Sequence, residues 1–295
     1  MTEWLRKVSK GETPTPEDWI QHLQAAHRDR PGMTPETLAP YRDSNGLCSY
    51  SHLAKEVIGA EPCTIVDLAC GNGHLIPFLR KAAPKAQIWG ADMSIEELNL
   101  ARSNKELNGV EFIECMAHRL PFANQSVDHV VCHMAFMLMM PLEPVVAEVA
   151  RVLRPGGTFS AVMGSKASDP LMVDIQKICL DFTDRRFPFR SQVQRGDGRV
   201  ATVEGLNQIF TCAQGFAPVD QLEEIRLQIE LKPDGIWRFM RFMYFVTILP
   251  PEDQQELQRK LRVFADNHSD KDGTIRLTYP LKKFKVRRDG DPCRT

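Results

Sequence analysis

The sequence predicts an α/β fold with a doubly wound, mostly parallel sheet, and three observations support this prediction. Between Cys63 and Gly164, short apolar runs rich in β-branched residues alternate with amphipathic helical stretches. Runs that are apolar throughout and joined by helices are typical of parallel strands covered on both faces. A glycine-containing turn directly follows the first run, and a chain of 295 residues can bury such a core without disulfide bonds.

The central region, residues 48–164, is predicted to contain most of this sheet. Its predicted strands cover 64–70, 87–93, 110–117, 126–136 and 158–163, and its predicted helices cover 73–83, 95–107 and 142–153. The segment Arg154-Pro-Gly-Gly157 predicts a stop and a turn before the last of these strands, because proline and glycine interrupt regular structure.

Two flanking regions complete the predicted organisation. Residues 1–47 are polar and rich in proline, which predicts an N-terminal arm with one helix over 17–28. Residues 165–216 are irregular, and we expect a helical lid insertion there, with a helix over 170–182. Residues 217–295 are expected to complete the sheet. Their predicted strands cover 222–231 and 274–286, and their predicted helices cover 235–249 and 252–264.

Charge and cysteine content argue against several classes of protein. The 37 Lys and Arg residues balance 38 Asp and Glu residues, so nucleic acid is not an expected partner. Without any Cys-x-x-Cys pair or other ligand cluster, we expect reduced, buried thiols and no metal site. The eight cysteines are Cys48, Cys63, Cys70, Cys115, Cys132, Cys179, Cys212 and Cys293. The N-terminus lacks an apolar leader, and Arg238 and Arg241 interrupt the most apolar stretch, so a cytoplasmic protein without a membrane span is expected.

The segment Asp67-Leu-Ala-Cys-Gly-Asn-Gly-His74 lies between the first predicted strand and a helix. Gly71 and Gly73 allow a tight turn and close approach of a ligand to the backbone. A second acid, Asp92, ends the next strand, where a carboxylate can accept hydrogen bonds from both hydroxyls of a ribose. The sequence therefore predicts a binding site for an adenosine-type ligand.

The residues around this turn favour S-adenosylmethionine over a dinucleotide. A dinucleotide fold usually has a third glycine for close helix–strand packing, and Ile76 stands in that position. The carboxylate of Asp67 would lie where a pyrophosphate comes closest, and like charge there disfavours a phosphate. S-adenosylmethionine offers an amine, a sulfonium and a ribose, and it carries no phosphate.

Five motifs in this region resemble those of class I S-adenosylmethionine-dependent methyltransferases, in the small-molecule branch similar to ubiquinone/menaquinone-biosynthesis enzymes. They occur in the family's order and spacing between about Tyr50 and Gly164. The motifs are Val66-Asp-Leu-Ala-Cys-Gly-Asn-Gly73, Gly90-Ala-Asp-Met-Ser94, Leu120-Pro-Phe122, Ser126-Val-Asp-His-Val-Val131 and Leu153-Arg-Pro-Gly-Gly157. The resemblance implies a Rossmann-like sheet of the class I methyltransferase type, with S-adenosyl-L-methionine as cofactor and S-adenosyl-L-homocysteine as product.

The resemblance also implies roles for individual residues. Asp67 and Gly71 would face the methionine part of the cofactor, Asp92 would hold the ribose hydroxyls, Met93 would pack on the adenine, and the Ala117 backbone would meet its edge. The chain from Cys132 onward would pass beneath the methionine part towards the acceptor. The complete expected cofactor set is Asp67, Ala69, Gly71, Asn72, Gly73, Asp92, Met93, Met116, Ala117, His118 and Cys132.

Two positions depart from the family pattern. Ala69 replaces the first glycine of the loop, and Met116 replaces the acid that usually bonds the adenine amino group. His118 is a candidate polar substitute for that acid.

On the acceptor side, His133 is a candidate acid–base catalyst, because a histidine with a near-neutral pKa could deprotonate a hydroxyl or amine acceptor. A hydrogen-bonded core histidine is the alternative. The methionine-rich run from Met134 to Met140 is either core packing or the floor of an apolar acceptor pocket. Arg185, Arg186 and Arg190 either clamp an anionic substrate under the lid or belong to a solvated basic loop.

The predicted function is methyl transfer to a small-molecule acceptor by in-line displacement, with an O, N, C or S nucleophile. The alternatives are a non-catalytic S-adenosylmethionine-binding scaffold and a methyltransferase acting on protein or nucleic acid. The sequence leaves the acceptor, the use of a general base and the oligomeric state open.

Overall fold

A computed structural model describes residues 1–59 and 62–290, and its centre is one seven-stranded sheet in the order β3-β2-β1-β4-β5-β7-β6. All pairings among β1 to β5 are parallel, and β7 runs antiparallel to both of its neighbours. The strands are β1 (Thr64–Leu68), β2 (Gln87–Asp92), β3 (Glu111–Glu114), β4 (Val127–His133), β5 (Leu153–Gly164), β6 (Glu223–Leu231) and β7 (Ile275–Arg287). The predicted doubly wound, mostly parallel α/β sheet is confirmed.

Helices cover both faces of this sheet. They are α1 (Glu3–Lys10), α2 (Pro16–Asp29), α3 (Met33–Leu38), α4 (Ser49–Ala54), α5 (Ile76–Ala82), α6 (Ile95–Ser103), α7 (Leu142–Val152), α8 (Pro170–Arg186), α9 (Val203–Ile209), α10 (Pro233–Met240), α11 (Tyr244–Thr247) and α12 (Pro251–His268). Two buried apolar clusters, one on each side of β1, β4 and β5, form the core. Within the described residues, no helix combines the length and the apolar character needed to cross a bilayer.

The strand order places a crevice at the carboxyl ends of β1 and β4. The chain winds from β1 outward through β2 to β3 and then returns to β4 on the other side of β1. At such a switch point the loops after neighbouring strands lead to opposite sides of the sheet, which leaves a crevice between them. Ligands of open α/β sheets bind in this crevice.

Several predicted elements have different limits in the structure. The Arg154–Gly157 segment was predicted as a turn but lies inside β5, whose register with β4 shifts between Val127 and His129. The helix predicted over 170–182 continues to Arg186, and the one predicted over 235–249 is two helices, α10 and α11.

The N-terminal region contains three helices before residue 40, although the sequence predicted one. We call α1, α2 and α3 the N-terminal cap. Trp4 and Trp19 are almost fully buried, with ring centroids 5.3 Å apart, and Lys7 pairs with Asp18 at 2.7 Å. The proline-rich composition favours a prediction of irregular structure, but proline can also begin a helix. Here Pro16 is the first residue of α2, and Thr15 with Asp18 forms a capping box that stabilises the start of this helix.

The predicted cysteine environment needs one correction. Cys48, Cys63, Cys70, Cys132 and Cys179 are buried and Cys115 is half-buried, whereas Cys212 is exposed. Cys212 lies in a single 3₁₀ turn at the surface. Cys293 lies outside the described residues.

Candidate functional site

A cavity of about 510 Å³ opens at the carboxyl ends of β1, β2 and β4. The strand-end loops form its inner end, and the N-terminal cap together with the chain after β4 forms its outer end. The inner end is lined by His27, Tyr50, Asp67, Ala69, Gly71, Asn72, His74, Asp92, Met93, Glu97, Cys115, Met116, Ala117, His118, His133 and Tyr244. The outer end is lined by Pro16, Glu17, Ile20, Leu23, Thr34, Pro35, Met134, Ala135, Leu138, Met139, Met140, Pro141, Pro144 and Val145.

Asp67 lies in the last part of β1 and is only 1% exposed. Its Oδ2 atom has no hydrogen-bond partner in the protein. Burial raises the pKa of this carboxyl well above its ordinary value, and the nearby charge of Asp92 raises it further. An unpartnered carboxyl in a cavity wall is a site for a ligand that donates hydrogen bonds or carries positive charge.

The turn after β1 follows the backbone shape that the glycines predicted. Gly71 has φ of +53° and Ala69 has φ of +56°, a region that residues with a side chain rarely adopt. Ala69 therefore holds a conformation that glycine would adopt without steric cost, and such backbone strain is common at binding sites.

Asp92 ends β2 and organises the same turn. One of its carboxylate oxygens accepts a hydrogen bond from the Gly71 N–H at 2.8 Å, and the other accepts one from the Ser94 N–H at 2.9 Å. Burial raises the pKa of Asp92, although these two hydrogen bonds oppose the shift. The β1 and β2 loops are thus held together by an acid that also lines the cavity.

Glu97 connects this inner end to the N-terminal cap. Its carboxylate pairs with His27 Nδ1 at 2.8 Å and accepts the Gly32 N–H at 3.0 Å, while His27 Nε2 lies 3.1 Å from the Tyr244 hydroxyl. Farther out, the Trp19 indole N–H donates to the Leu138 carbonyl at 2.8 Å. The cap is therefore hydrogen-bonded to residues that line both the inner and the outer end of the cavity.

The outer end of the cavity is apolar. Ile20 and Leu23 from one face of α2 stand across from the chain after β4, which contributes Met134, Leu138 and other apolar residues. Among all the described residues that line the cavity, none is Lys or Arg, and the only acid of the outer end is Glu17, at the start of α2. This end can hold an apolar group, but it offers no cation to pair with an anion.

His133 ends β4 at the centre of the cavity and is almost fully buried. Its Nε2 lies 2.9 Å from the Ser49 hydroxyl, and its ring stacks on Tyr50 with centroids 3.9 Å apart. Burial lowers the pKa of His133 to about 3, which disfavours the acid–base role and favours the alternative of a hydrogen-bonded core histidine.

Most of the expected cofactor residues line this cavity, with two exceptions. Gly73 is buried behind the turn, where a Cβ would lie 2.6 Å from Leu107, so it serves close packing. Cys132 points into the core on the other face of β4, because successive side chains of a strand alternate in direction. In the methionine-rich run, Met134, Met139 and Met140 reach the cavity and Met137 does not.

The expected arginine clamp and lid are not found at the cavity. No residue of 165–216, all of which the structure describes, lines it. Arg190 is buried and pairs with Asp184 at 2.6 Å, whereas Arg185 and Arg186 lie on the exposed surface in the last turn of α8. The cavity is covered by the N-terminal cap instead.

Residues that the cap, α4, α6 and α11 bring to the cavity could not be identified from the sequence. The polar members of this group are Glu17, His27, Thr34, Tyr50, Glu97 and Tyr244. One signal was present in the sequence: Trp19, Ile20 and Leu23 lie on one face of the predicted helix, and an apolar face of a helix must cover something. Within the described residues, no group of three or more His, Cys, Asp and Glu is arranged to hold a metal ion.

Residues 66–161 match the family model described as "Methyltransferase domain". A demethylmenaquinone methyltransferase of Thermus thermophilus is 39% identical over 98 residues, which are 32% of this chain and 44% of that enzyme. A malonyl-[acyl-carrier protein] O-methyltransferase of Methylococcus capsulatus is 35% identical over 104 residues, 35% of this chain and 38% of that enzyme. The chain spans about half or less of the length of these curated relatives.

Solved structures agree on the fold. YcgJ of Bacillus subtilis superposes with a TM-score of 0.52 at 19% identity, covering 82% of this chain and 98% of that one. The protein BH2331 of Bacillus halodurans C-125 superposes with a TM-score of 0.55 at 17% identity, covering 82% and 99%. Residues 66–161 are thus similar to a methyltransferase domain, and the two solved structures share the Rossmann-like α/β fold of this chain.

Proposed function

We propose that this protein transfers a methyl group from S-adenosylmethionine to a small, uncharged acceptor with an apolar body. The observation that carries the proposal is one continuous cavity with two different ends. Its inner end holds the buried Asp67 and the half-buried Asp92 at the switch point of the sheet, and its outer end is mostly apolar. A cationic nucleoside and an apolar acceptor can therefore meet inside one cavity.

The inner end fits this cofactor better than it fits a nucleotide. Asp67 Oδ2 is buried without a partner, and Asp92 stands on the neighbouring strand. These carboxyls would hold an amine and a ribose, and they would repel a phosphate. Met93, Met116 and Ala117 line the part of the wall expected to face the adenine. Met116 offers no carboxylate there, so packing and backbone contacts would hold the base.

When bound, S-adenosylmethionine supplies a methyl group that its own sulfonium charge activates for displacement. The protein's contribution is alignment and exclusion of water. The N-terminal cap encloses the cavity through Trp19, His27 and Gly32, and the apolar outer wall keeps the acceptor desolvated. With a pKa of about 3, His133 is a poor proton acceptor at pH 7, which favours an acceptor that needs no strong base.

The charge of the cavity wall supports the choice of an uncharged acceptor. A carboxylate or phosphate inside a protein is normally paired with Arg or Lys, and an unpaired buried anion is costly. No described residue of the cavity wall is Arg or Lys. Acceptors whose anionic group must enter the cavity are therefore disfavoured.

The test is a set of acceptors that share one aromatic skeleton and differ only in a thioether, an aromatic amine or a carboxylate, of which the first two are uncharged at pH 7 and need no base. Each is incubated with the purified protein and S-adenosylmethionine, and S-adenosylhomocysteine is quantified. We expect product with neutral members and none with carboxylates. Product only with carboxylates would refute the acceptor class. Cofactor binding without product from any member would instead favour the non-catalytic scaffold.

A further inference from the structure

Helix α2 of the N-terminal cap runs along the cavity from its outer to its inner end. The residues of α2 that line the cavity are spaced three or four positions apart, which places them on one face of the helix. In order from the outer end they are Pro16, Glu17, Ile20, Leu23 and His27. The helix rises about 1.5 Å per residue, so this face is about 17 Å long. The position of one helix therefore sets the shape of the cavity over much of its length.

The first part of α2 is joined to the opposite wall by one hydrogen bond. The Trp19 indole N–H donates to the Leu138 carbonyl at 2.8 Å, and Leu138 itself lines the outer end. The structure describes all of α2 and all of residues 134–145, and this is the only hydrogen bond between the two segments. The distance between the two walls of the outer end therefore depends on this bond.

Trp19 has little freedom to move, and it does not line the cavity itself. The residue is 1% exposed, and its ring lies 5.3 Å from that of Trp4 and 5.7 Å from that of His22. The inner part of α2 is held separately, by the pair of His27 with Glu97. Loss of the Trp19 bond would therefore free the outer part of the helix and leave the inner part attached.

The cavity offers little room for an acceptor. Its volume of about 510 Å³ lies in the lower half of the range of about 300–1,000 Å³ that is usual for a site holding one drug-sized ligand. Under the proposed function, S-adenosylmethionine occupies part of the same volume. The enclosed part of the acceptor must then be narrow, and a longer body would extend past the exposed Pro16 and Pro141.

We propose that the hydrogen bond from Trp19 to Leu138 sets the width of the outer end and limits the enclosed part of the acceptor to a single ring or a group of similar width. Trp19 is then a positioning residue, because it acts on the acceptor through the spacing of the two walls. This inference rests on the proposed function, since it presupposes that the acceptor occupies the outer end.

The test measures how three neutral amines of increasing width bind to the protein saturated with S-adenosylhomocysteine. Aniline, 1-aminonaphthalene and 1-aminoanthracene have one, two and three fused rings. Calorimetry gives the affinity of aniline, and the gain in fluorescence on entering an apolar site gives the affinities of the other two. In a site of adjustable width, affinity grows with the apolar area buried. We expect instead that the affinity of the wild type does not rise from two rings to three.

Trp19→Phe retains an aromatic ring and removes only the hydrogen bond. A typical net hydrogen bond corresponds to about a fivefold change in an equilibrium constant, and the walls of the variant can separate without breaking one. We therefore expect 1-aminoanthracene to bind at least about fivefold more tightly than it binds to the wild type. The affinities for aniline and for S-adenosylhomocysteine should change less than about twofold.

Two further variants complete the design. Trp4→Phe is the matched control, because Trp4 is equally buried and stacks on Trp19, but its indole N–H bonds no protein group. Its affinities should equal those of the wild type. Ile20→Ala enlarges the outer end without changing the hydrogen bond, so it should also bind 1-aminoanthracene more tightly. Thermal unfolding without ligand checks the fold of each variant.

The outcomes separate this inference from the proposed function. If the folded wild type does not bind S-adenosylhomocysteine, the proposed function fails. If it does, the role of Trp19 is wrong when Trp19→Phe keeps the wild-type affinities, when Trp4→Phe changes them equally, or when no amine binds to any of the four proteins. A wild-type affinity that rises steadily from one ring to three contradicts the width limit. Should Trp19→Phe fail to fold, an unchanged affinity of Ile20→Ala for 1-aminoanthracene also contradicts it.

Discussion

The two ends of the cavity are built from different parts of the chain and by different physics. The inner end comes from loops at the ends of neighbouring parallel strands, and it contains three acids, the buried Asp67 and Glu97 and the half-buried Asp92. The outer end joins the N-terminal cap to the chain after β4, and apart from Glu17 at its mouth it carries no charged side chain among the described residues. Under the proposed function, charge would hold the methyl donor, whereas shape and apolar contact would select the acceptor.

The largest effect is expected at the inner end, from Asp92→Ala. This change removes the acceptor for the ribose hydroxyls and leaves the Gly71 and Ser94 N–H groups without their carboxylate. Two hydrogen bonds to a charged group correspond to about 3 kcal/mol or more, so the affinity for S-adenosylhomocysteine should fall at least about 100-fold in a titration. An affinity within about threefold of the wild type would show that Asp92 acts only on the loops.

At the outer end, Met139→Arg should change which acceptors are accepted. A cation beside the apolar wall would pair with an anionic acceptor and would disfavour neutral ones by about 10-fold, since desolvating a charge costs free energy. The measurement is S-adenosylhomocysteine production from the matched acceptor set. Met139→Leu, which conserves volume, is the control, and cofactor affinity should be equal in all three proteins. Loss of cofactor binding in Met139→Arg alone would contradict the separation of the two ends.

The ends also differ in their expected response to acid. His22, in the cap, is buried between Trp4 and Trp19, and burial lowers its pKa from 6.5 to about 4. Below pH 6.5 His22 is protonated in the unfolded chain but remains largely unprotonated in the folded protein. The free energy of unfolding therefore decreases as pH falls from 6.5 towards 4. Asp67 and Asp92 have raised pKa values and respond in the opposite direction, gaining stability as pH falls through those values.

Unfolding free energies of the wild type and His22→Phe at pH 7 and pH 5 isolate the histidine. Between these two pH values the wild type should lose about 2 kcal/mol more than the variant. Equal losses would mean that His22 is protonated in the folded protein.

The smallest effect on the cavity is expected from Arg190→Gln. Arg190 pairs with Asp184 in the region after α8 and does not line the cavity. We expect cofactor affinity and acceptor KM to remain within about twofold of the wild type, with a loss of about 1–2 kcal/mol in unfolding free energy for the broken hydrogen bonds. A large rise in the KM of an acceptor would instead support the hypothesis that Arg190 binds an anionic substrate.

Much of the inner end could be predicted from the sequence. Asp67 and Asp92 end apolar runs that can only be buried strands, and parallel neighbouring strands bring their carboxyl ends to one edge of the sheet. The conformation of Ala69 could not be predicted. The sequence shows only that alanine replaces a glycine there, and the structure shows that Ala69 adopts a left-handed backbone conformation with φ of +56°.

The outer end could not be predicted in the same way. α2 and α8 both have an apolar face, so their sequences are equally suited to covering a cavity. The choice between them depends on contacts between residues distant in the chain, such as Trp19 with Leu138 and His27 with Glu97. The place of Tyr50 in the cavity wall could not be predicted for the same reason, because it depends on the stacking of its ring on the distant His133.

The sequence by itself determined the α/β sheet, its strands and the acids at their ends, because hydrophobic periodicity and turn residues act over short stretches of chain. Only the tertiary structure decided that the N-terminal cap covers the cavity, that Arg190 faces Asp184, and that burial lowers the pKa of His133. Burial, pairing and pKa depend on neighbours that the fold assembles from distant segments, and no local pattern of residues specifies those neighbours.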